Sequence, residues 1–127
     1  MSGVKRISTG SPFEKTFGYS RAIVKGGWCF VSGVTGYDYT TMEMPVGIAN
    51  QARNCFGTIG NVLAEAGFEM SDIVRVQYTV PDVDLIDELV PALGEAMGGI
   101  RPAATMVIAG LIKPEMLVEI EVTAFKV

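Results

Sequence analysis

The 127-residue chain contains no histidine. That removes Ser-His-Asp and Cys-His nucleophile arrangements and every His-ligated metal site. Cysteine is scarce too, at two residues. Cys29 and Cys55 lie in apolar settings, Trp28-Cys-Phe-Val31 and Asn54-Cys-Phe56. They read as buried free thiols of a reducing cytoplasm, and not as a disulfide or a nucleophile. Positive charge is also in short supply, with ten Lys and Arg against fourteen Asp and Glu for a net charge of −4. With a pI of about 4.7, the chain lacks the electrostatic footprint of a nucleic-acid or anionic-membrane binder. No apolar run approaches the roughly 18 residues of a membrane span, and no signal-peptide pattern opens the sequence. Chemistry here falls to carboxylates, Tyr, Ser, backbone amides and water, with neither metal nor cofactor expected.

Apolar residues, by contrast, are abundant. They make up 49% of the chain, and mean hydropathy is +0.35. Residues 1–127 read as one domain, long enough for a core. The surplus apolar surface suits a subunit interface.

Periodicity places the elements. Val4 to Ile7 can form a short first strand. Arg21-Ala-Ile-Val24 and Trp28-Cys-Phe-Val-Ser32 read as a hairpin turned by Gly26-Gly27, and residues 33–46 as a loop. Val46, Ala49, Ala52, Phe56, Ile59, Leu63 and Ala66 recur at helical spacing, with Gly67 as a stop. Gly57 and Gly60 inside that helix are expected to permit close approach to a sheet. Ile73–Val80 alternates as a strand, with Val74, Val76, Tyr78 and Val80 on one side. Asp82 can cap a second helix carrying Leu85, Leu89, Leu93 and Ala96, which Pro91 should kink or shorten. Two further strands follow Gly98-Gly99. In the last, Val118, Ile120, Val122 and Ala124 point one way and Glu119, Glu121 and Thr123 the other. The expected order is β-β-β-α-β-α-β-β, an α+β fold with two helices on one face of a mixed sheet. The other face, bearing Arg75, Gln77, Thr79, Glu119, Glu121 and Thr123 among apolar residues, suits a partner subunit with pockets in the seam.

A carboxylate on a strand in so apolar a chain needs water, a cation or a substrate beside it. Glu119 is therefore the first candidate for a cleft residue, against a carboxylate paired across a subunit seam. Tyr19 divides between site and core edge, and Ser32-Gly33 between cleft lining and a strand-ending turn. Arg53 reads as structural, and Arg21 as either a surface residue or one lining the cleft of a neighbouring subunit. Arg101, before Pro102, reads as solvated or paired, or else as a ligand group.

Gly18-Tyr-Ser-Arg-Ala-Ile23, Val31-Ser-Gly33, Gln51-Ala-Arg53, Leu63-Ala-Glu-Ala-Gly67, Ser71-Asp-Ile-Val-Arg75, Arg101-Pro-Ala103 and Val118-Glu-Ile-Glu121 carry a resemblance. In this order and spacing they are similar to the RidA/YjgF family of enamine and imine deaminases. The resemblance implies a chorismate-mutase-like α+β fold and a cytoplasmic homotrimer with clefts between subunits. It also implies cofactor-free hydrolysis of 2-aminoacrylate-type imines to 2-keto acids and ammonia. Position by position, Glu119 matches the water-handling glutamate, Tyr19 the pocket tyrosine, and Ser32 with Gly33 the cleft-lining turn. Three positions depart from the deaminases: Ala104 replaces the carboxylate-binding arginine, Met106 a common cysteine and Pro91 a frequent asparagine. Ser11-Pro-Phe-Glu14 with Gly18-Tyr-Ser-Arg21 is similar to divergent branches lacking that arginine, in which a metabolite-binding or protein-interaction trimer without deaminase chemistry is the alternative. Arg21 and Arg101 remain open as substitutes for it. The ribonuclease activity attached to the family name fits poorly with an acidic chain lacking histidine.

Overall fold

In the computed structural model, which describes residues 3–127, one mixed sheet is backed by helices. The elements are β1 (Val4–Ile7), α1 (Pro12–Phe17), β2 (Ala22–Lys25), β3 (Trp28–Thr35), α2 (Ile48–Ala66), β4 (Ile73–Val80), α3 (Ile86–Met97), β5 (Ala103–Ile108) and β6 (Glu119–Phe125). Short 3-10 turns precede β4 and α3. Across the sheet the order is β1-β2-β3-β6-β4-β5. Only β4 and β5 run parallel, joined through α3; the other neighbours are antiparallel. This is the expected α+β architecture with one helix more.

That helix, α1, is built from local signals. Ser11 caps it by accepting a hydrogen bond from Phe13 N at 3.2 Å. Pro12 occupies the first turn, where a missing N–H costs nothing. Gly18 ends it in the left-handed conformation, φ 75°, which glycine adopts without a Cβ penalty. At six residues it is too short for an amphipathic period to reveal.

Two bulges correct the expected strand faces. β3 does not stop at Ser32 but runs to Thr35, with one extra residue between Val31 and Val34 against Val122 and Ile120 of β6. In β4 the register slips between Ile73 and Arg75. Ile73 is consequently buried and Val74 points outward, 44% exposed, against the simple alternation. A bulge adds a residue to one strand and reverses which side chains face the core beyond it.

The glycines of α2 also differ from expectation. Nothing lies within 4 Å of a Cβ built at Gly57, and at Gly60 the nearest atom is Met70 Sδ at 3.8 Å. Neither position touches the sheet. Close approach occurs instead at Gly36, whose Cβ would fall 2.6 Å from that of Gln51. Pro91 stands inside α3 without ending it. The helix gives way at its start, where Asp82 accepts from Asp84 N at 2.9 Å and caps a 3-10 turn, Val83–Leu85.

The core lies between the sheet and the helices, around Cys29, Val34, Val76, Val80 and Ile120 from the strands, Val118 just before β6, and Ile48, Ile59, Leu63 and Leu89 from α2 and α3. Burying a Val, Leu or Ile side chain contributes roughly 1.5–3 kcal/mol, so this layer dominates stability. Both cysteines are buried free thiols. Cys55 donates to Val34 O at 3.2 Å, and burial pushes its thiol far above the usual range, which makes it a packing residue. The opposite sheet face is left open. Trp28, Phe30 and Phe125 form a ring cluster there, with centroids 4.6 and 6.1 Å apart, and each is more than a third exposed.

Candidate functional site

The β3 bulge shapes one pocket; a larger one, about 410 Å³, lies beside it past Thr9 and Tyr39 toward α2 and contains neither Glu119 nor Tyr19. The bulge pocket is a cavity of about 210 Å³ lined by Tyr19, Ser32, Gly33 and Glu119, walled by Phe13, Phe17 and Tyr39 and flanked by Ile112 and Met116. Four residues singled out from sequence therefore meet at one cavity. Thr35, paired with Glu119 across β3 and β6, completes the floor.

Gly33 is needed for space. A Cβ there would lie 2.5 Å from Glu119 Cδ, well inside van der Waals contact, so any other residue displaces the carboxylate. The Glu119 carboxylate itself accepts no hydrogen bond from the described residues. Burial pushes its proton affinity up, the negative charge of Glu121 adds to this, and the positive charge of Arg21 opposes it. A carboxylate in a cavity whose proton affinity is raised above its ordinary value is suited to exchanging protons with a bound molecule.

Ser32 lines the cavity but its hydrogen bonds turn inward. Its hydroxyl donates to Arg21 O at 3.0 Å and accepts from Arg21 Nη1 at 3.2 Å. Tyr19 is half-buried, and burial raises its phenol above the ordinary value, so it stays protonated and able to donate.

Arg21 is neither a surface residue nor a lining one: it is fully buried, directly behind the wall. Its Nη1 donates to Gly33 O at 2.8 Å and its Nε to Thr9 Oγ1 at 3.4 Å. The guanidinium carbon lies 5.6 Å from the Tyr19 ring centroid and 4.9 Å from that of Tyr39. Among the described residues its Nη2 has no hydrogen-bond partner. A buried cation costs several kcal/mol of desolvation. Hydrogen bonds from a charged donor return about 1.5–3 kcal/mol each, and cation–π contacts about 0.5–2 kcal/mol each. The site can therefore hold the charge without an ion pair.

The remaining candidates lie elsewhere in the chain. Ala104 pairs with Val76 on the helix side of β5, and Met106 with Tyr78, where Met106 packs on the core. Ala104 and Arg101 border a separate groove of about 380 Å³ against α3. Arg101 does not continue the strand that carries Ala104, which begins at Ala103. Arg101 instead precedes β5 in a left-handed conformation, φ 54°, and reaches the same groove. Arg53 is at the surface, 3.5 Å from Glu95. Glu121 is exposed on the open face, opposite Gln77.

Sequence reasoning missed Phe13 and Phe17, because α1 itself was missed. It also missed Tyr39 and Ile112, which sit in loops without periodicity. No group of three or more acidic or Cys residues among the described ones could hold a metal ion.

Residues 9–126 match the family model described as Endoribonuclease L-PSP. The chain belongs to the RidA/YjgF family. A crystal structure of a YjgF/YER057c/UK114 family member from Mycobacterium tuberculosis is 36% identical, with a TM-score of 0.87 over 97% of this chain and 99% of that one. An uncharacterised protein of Streptomyces coelicolor is 29% identical over 124 residues, 97% of this chain and 92% of its own length. A 2-iminobutanoate/2-iminopropanoate deaminase of Dermatophagoides farinae is 28% identical over 122 residues, 95% of each chain. The RidA/YjgF fold thus extends over almost the whole molecule. No helix of the described residues is long and apolar enough to cross a membrane.

Proposed function

We propose that the chain is a RidA-type protein that binds a small metabolite at the Glu119 pocket, completed at a seam between copies of a cytoplasmic homotrimer. Its chemistry is cofactor-free hydrolysis of enamines and imines of the 2-aminoacrylate type. The observation that carries this reading is an unsatisfied carboxylate, raised above its usual range, facing a cavity walled by aromatic rings. The mite relative named as a 2-iminobutanoate/2-iminopropanoate deaminase supports the reaction class. The exposed Trp28, Phe30 and Phe125 cluster supports a sheet face covered by another subunit.

In the proposed step, ionised Glu119 takes a proton from water as the water oxygen attacks the imine carbon. The imine nitrogen, protonated, becomes the amine of a carbinolamine. Glu119 then returns its proton to that nitrogen, the C–N bond breaks and ammonia leaves, and the re-ionised Glu119 takes the hydroxyl proton as that oxygen becomes the keto oxygen, passing it on to the ammonia as ammonium. A group that gives and takes a proton at one carbon contributes about 10²–10⁴-fold.

Ala104 borders a separate groove of its own chain, so in this reading it meets the Glu119 pocket only across the seam between copies, and it is the weak point of this chemistry. Losing a bidentate guanidinium–carboxylate contact should cost on the order of 2–5 kcal/mol in binding the transition state of an anionic substrate. The same feature favours the second reading, a metabolite-binding or protein-interaction trimer without turnover. An endoribonuclease, as the family description has it, is disfavoured by the net charge of −4 and a pocket with no cation in its lining.

The test is keto-acid release from an imine generated in situ by an amino-acid oxidase, alongside light scattering for the mass of three chains. Slow wild-type turnover that rises in Ala104→Arg supports the deaminase. No turnover in either, with a 2-keto acid still bound in a crystal soak, supports the binding protein. A monomer that neither turns over nor binds rules out both.

A further inference from the structure

Four of the five residues that Arg21 contacts line the pocket, Ser32 and Gly33 by hydrogen bonds and Tyr19 and Tyr39 by their ring faces; the fifth, Thr9, does not. Arg21 is itself completely buried, and among the described residues its Nη2 has no hydrogen-bond partner. A guanidinium serving only as a fold staple would be expected to meet a carboxylate, since buried arginines are normally paired. Glu14, the acid nearest in sequence, is occupied by Thr9 N and Oγ1, both at 2.9 Å. No ion pair joins Arg21 to an acid among the described residues.

We propose that Arg21 is a positioning residue of this pocket: from behind the wall it fixes the Ser32–Gly33 bulge against the Glu119 carboxylate and supplies the positive charge that the pocket lining lacks. The connection is short. Nη1 grips the Gly33 carbonyl at 2.8 Å, and Gly33 is the residue against which Glu119 packs too closely for any Cβ. The lining, Phe13, Phe17, Tyr19, Tyr39 and Glu119 among others, contains no Lys or Arg. Glu119 faces the repulsion of Glu121, and the charge of Arg21 opposes it. Around Arg21 the other titratable groups are Glu14, Tyr19, Tyr39 and the buried Cys55 thiol, which also feels Glu119. A small anion entering the cavity would meet a positive potential carried through one peptide unit and two rings, without touching the guanidinium. The inference rests on the reading of the cavity as a metabolite site.

The experiment separates charge from shape. Citrulline keeps the outline of arginine and loses its charge. It can be placed at position 21 of the full chain by joining a synthetic 1–28 peptide to a recombinant fragment starting at the native Cys29. Arg21→Lys keeps the charge and loses the planar fork. Each form is titrated by carboxyl-carbon NMR for the Glu119 midpoint, and binding of pyruvate is measured by calorimetry. The citrulline protein should show a higher Glu119 midpoint and at least a tenfold weaker pyruvate affinity. Arg21→Lys should keep its midpoint close to that of the wild type. Equal midpoints in the wild-type and citrulline proteins would overturn the proposal, as would an equal shift in the citrulline and lysine forms. Failure of the wild type to bind pyruvate would refute the carboxylate-metabolite reading, while the Glu119 midpoint still decides the role of Arg21.

Discussion

Glu14 and Glu119 are two carboxylates within the electrostatic reach of the same buried arginine, and they end up opposite. For Glu14, burial pushes the carboxyl up, but the Thr9 backbone N–H and hydroxyl, with Ser8 and Arg21, outweigh it and hold it below its ordinary value. For Glu119, burial acts in the same direction, no hydrogen bond answers it, Glu121 adds to it, and the group sits above the ordinary value. One carboxylate has its oxygens answered by a loop and belongs to the scaffold. The other is held by packing alone, with its oxygens free for whatever enters the cavity. Burial does not separate a structural acid from a chemical one in this molecule, whereas the presence or absence of donors does.

The largest expected break in that comparison comes from removing each charge in turn. Glu119→Gln should lower keto-acid release by about 10²–10⁴-fold, most visibly in the Ala104→Arg background, with the melting temperature nearly unchanged. Glu14→Gln should do the reverse, retaining most turnover while costing about 1–3 kcal/mol of stability through the weakened bonds to Thr9. Unfolding curves and the coupled oxidase assay on the same preparations give both numbers. A large loss of stability in Glu119→Gln with turnover intact would make Glu119 the scaffold residue.

A smaller effect is expected at Gly33. Its φ is unremarkable, so Gly33→Ala adds no backbone strain, but the new Cβ must displace the Glu119 side chain. A displacement of the order of 1 Å can cost about 10²-fold in rate, and here we expect 10- to 100-fold of that order, with a cooperative unfolding transition retained. Wild-type turnover in Gly33→Ala would show that the position of Glu119 is not critical.

The smallest effect is in the pH dependence of stability, and it has opposite signs at the two acids. The folded-state affinity of Glu119 for its proton is raised above the ordinary carboxylate value of 4.5. Between that value and the folded one, the unfolded chain binds fewer protons than the native one, so this group's contribution falls as pH rises. Glu119→Gln should therefore match the wild type in acid and become slightly more stable above the folded value. Glu14 is lowered, so its contribution is complete above the ordinary value and is lost as pH falls through the folded one. Glu14→Gln should trail the wild type at neutral pH and converge with it in acid. Thermal scans from acid to neutral pH check both, and curves of the same sign would remove the distinction.

Much of this was legible in the sequence, and the gaps have local physical causes. The alternation of β6 and the long period of α2 could be read because periodicity survives without coordinates, whereas the grouping of Tyr19, Ser32, Gly33 and Glu119 came from the family resemblance. Helix α1 was missed although Ser11, Pro12, Glu14 and Gly18 form a complete start-and-stop signature, because six residues provide no hydrophobic period. With it went Phe13 and Phe17. The bulges in β3 and β4 were not readable, since one inserted residue leaves composition unchanged and alters only which face is buried. The burial of Arg21 was hidden for a related reason: nothing in Tyr19-Ser-Arg21 indicates that two tyrosine faces and a bulge carbonyl will enclose the guanidinium. Ala104 and Met106 fell on the predicted strand, but on the side of the sheet that carries α3.

The central claim is that Glu119 is the ionisable group of a small-molecule pocket and Glu14 is not. The most direct measurement is a carboxyl-carbon NMR titration of the wild-type chain with glutamates assigned, run with and without pyruvate. The account predicts a Glu119 midpoint above the ordinary carboxylate range that moves when pyruvate is added, and a Glu14 midpoint below that range that does not. An ordinary midpoint for Glu119, indifferent to pyruvate, would contradict it.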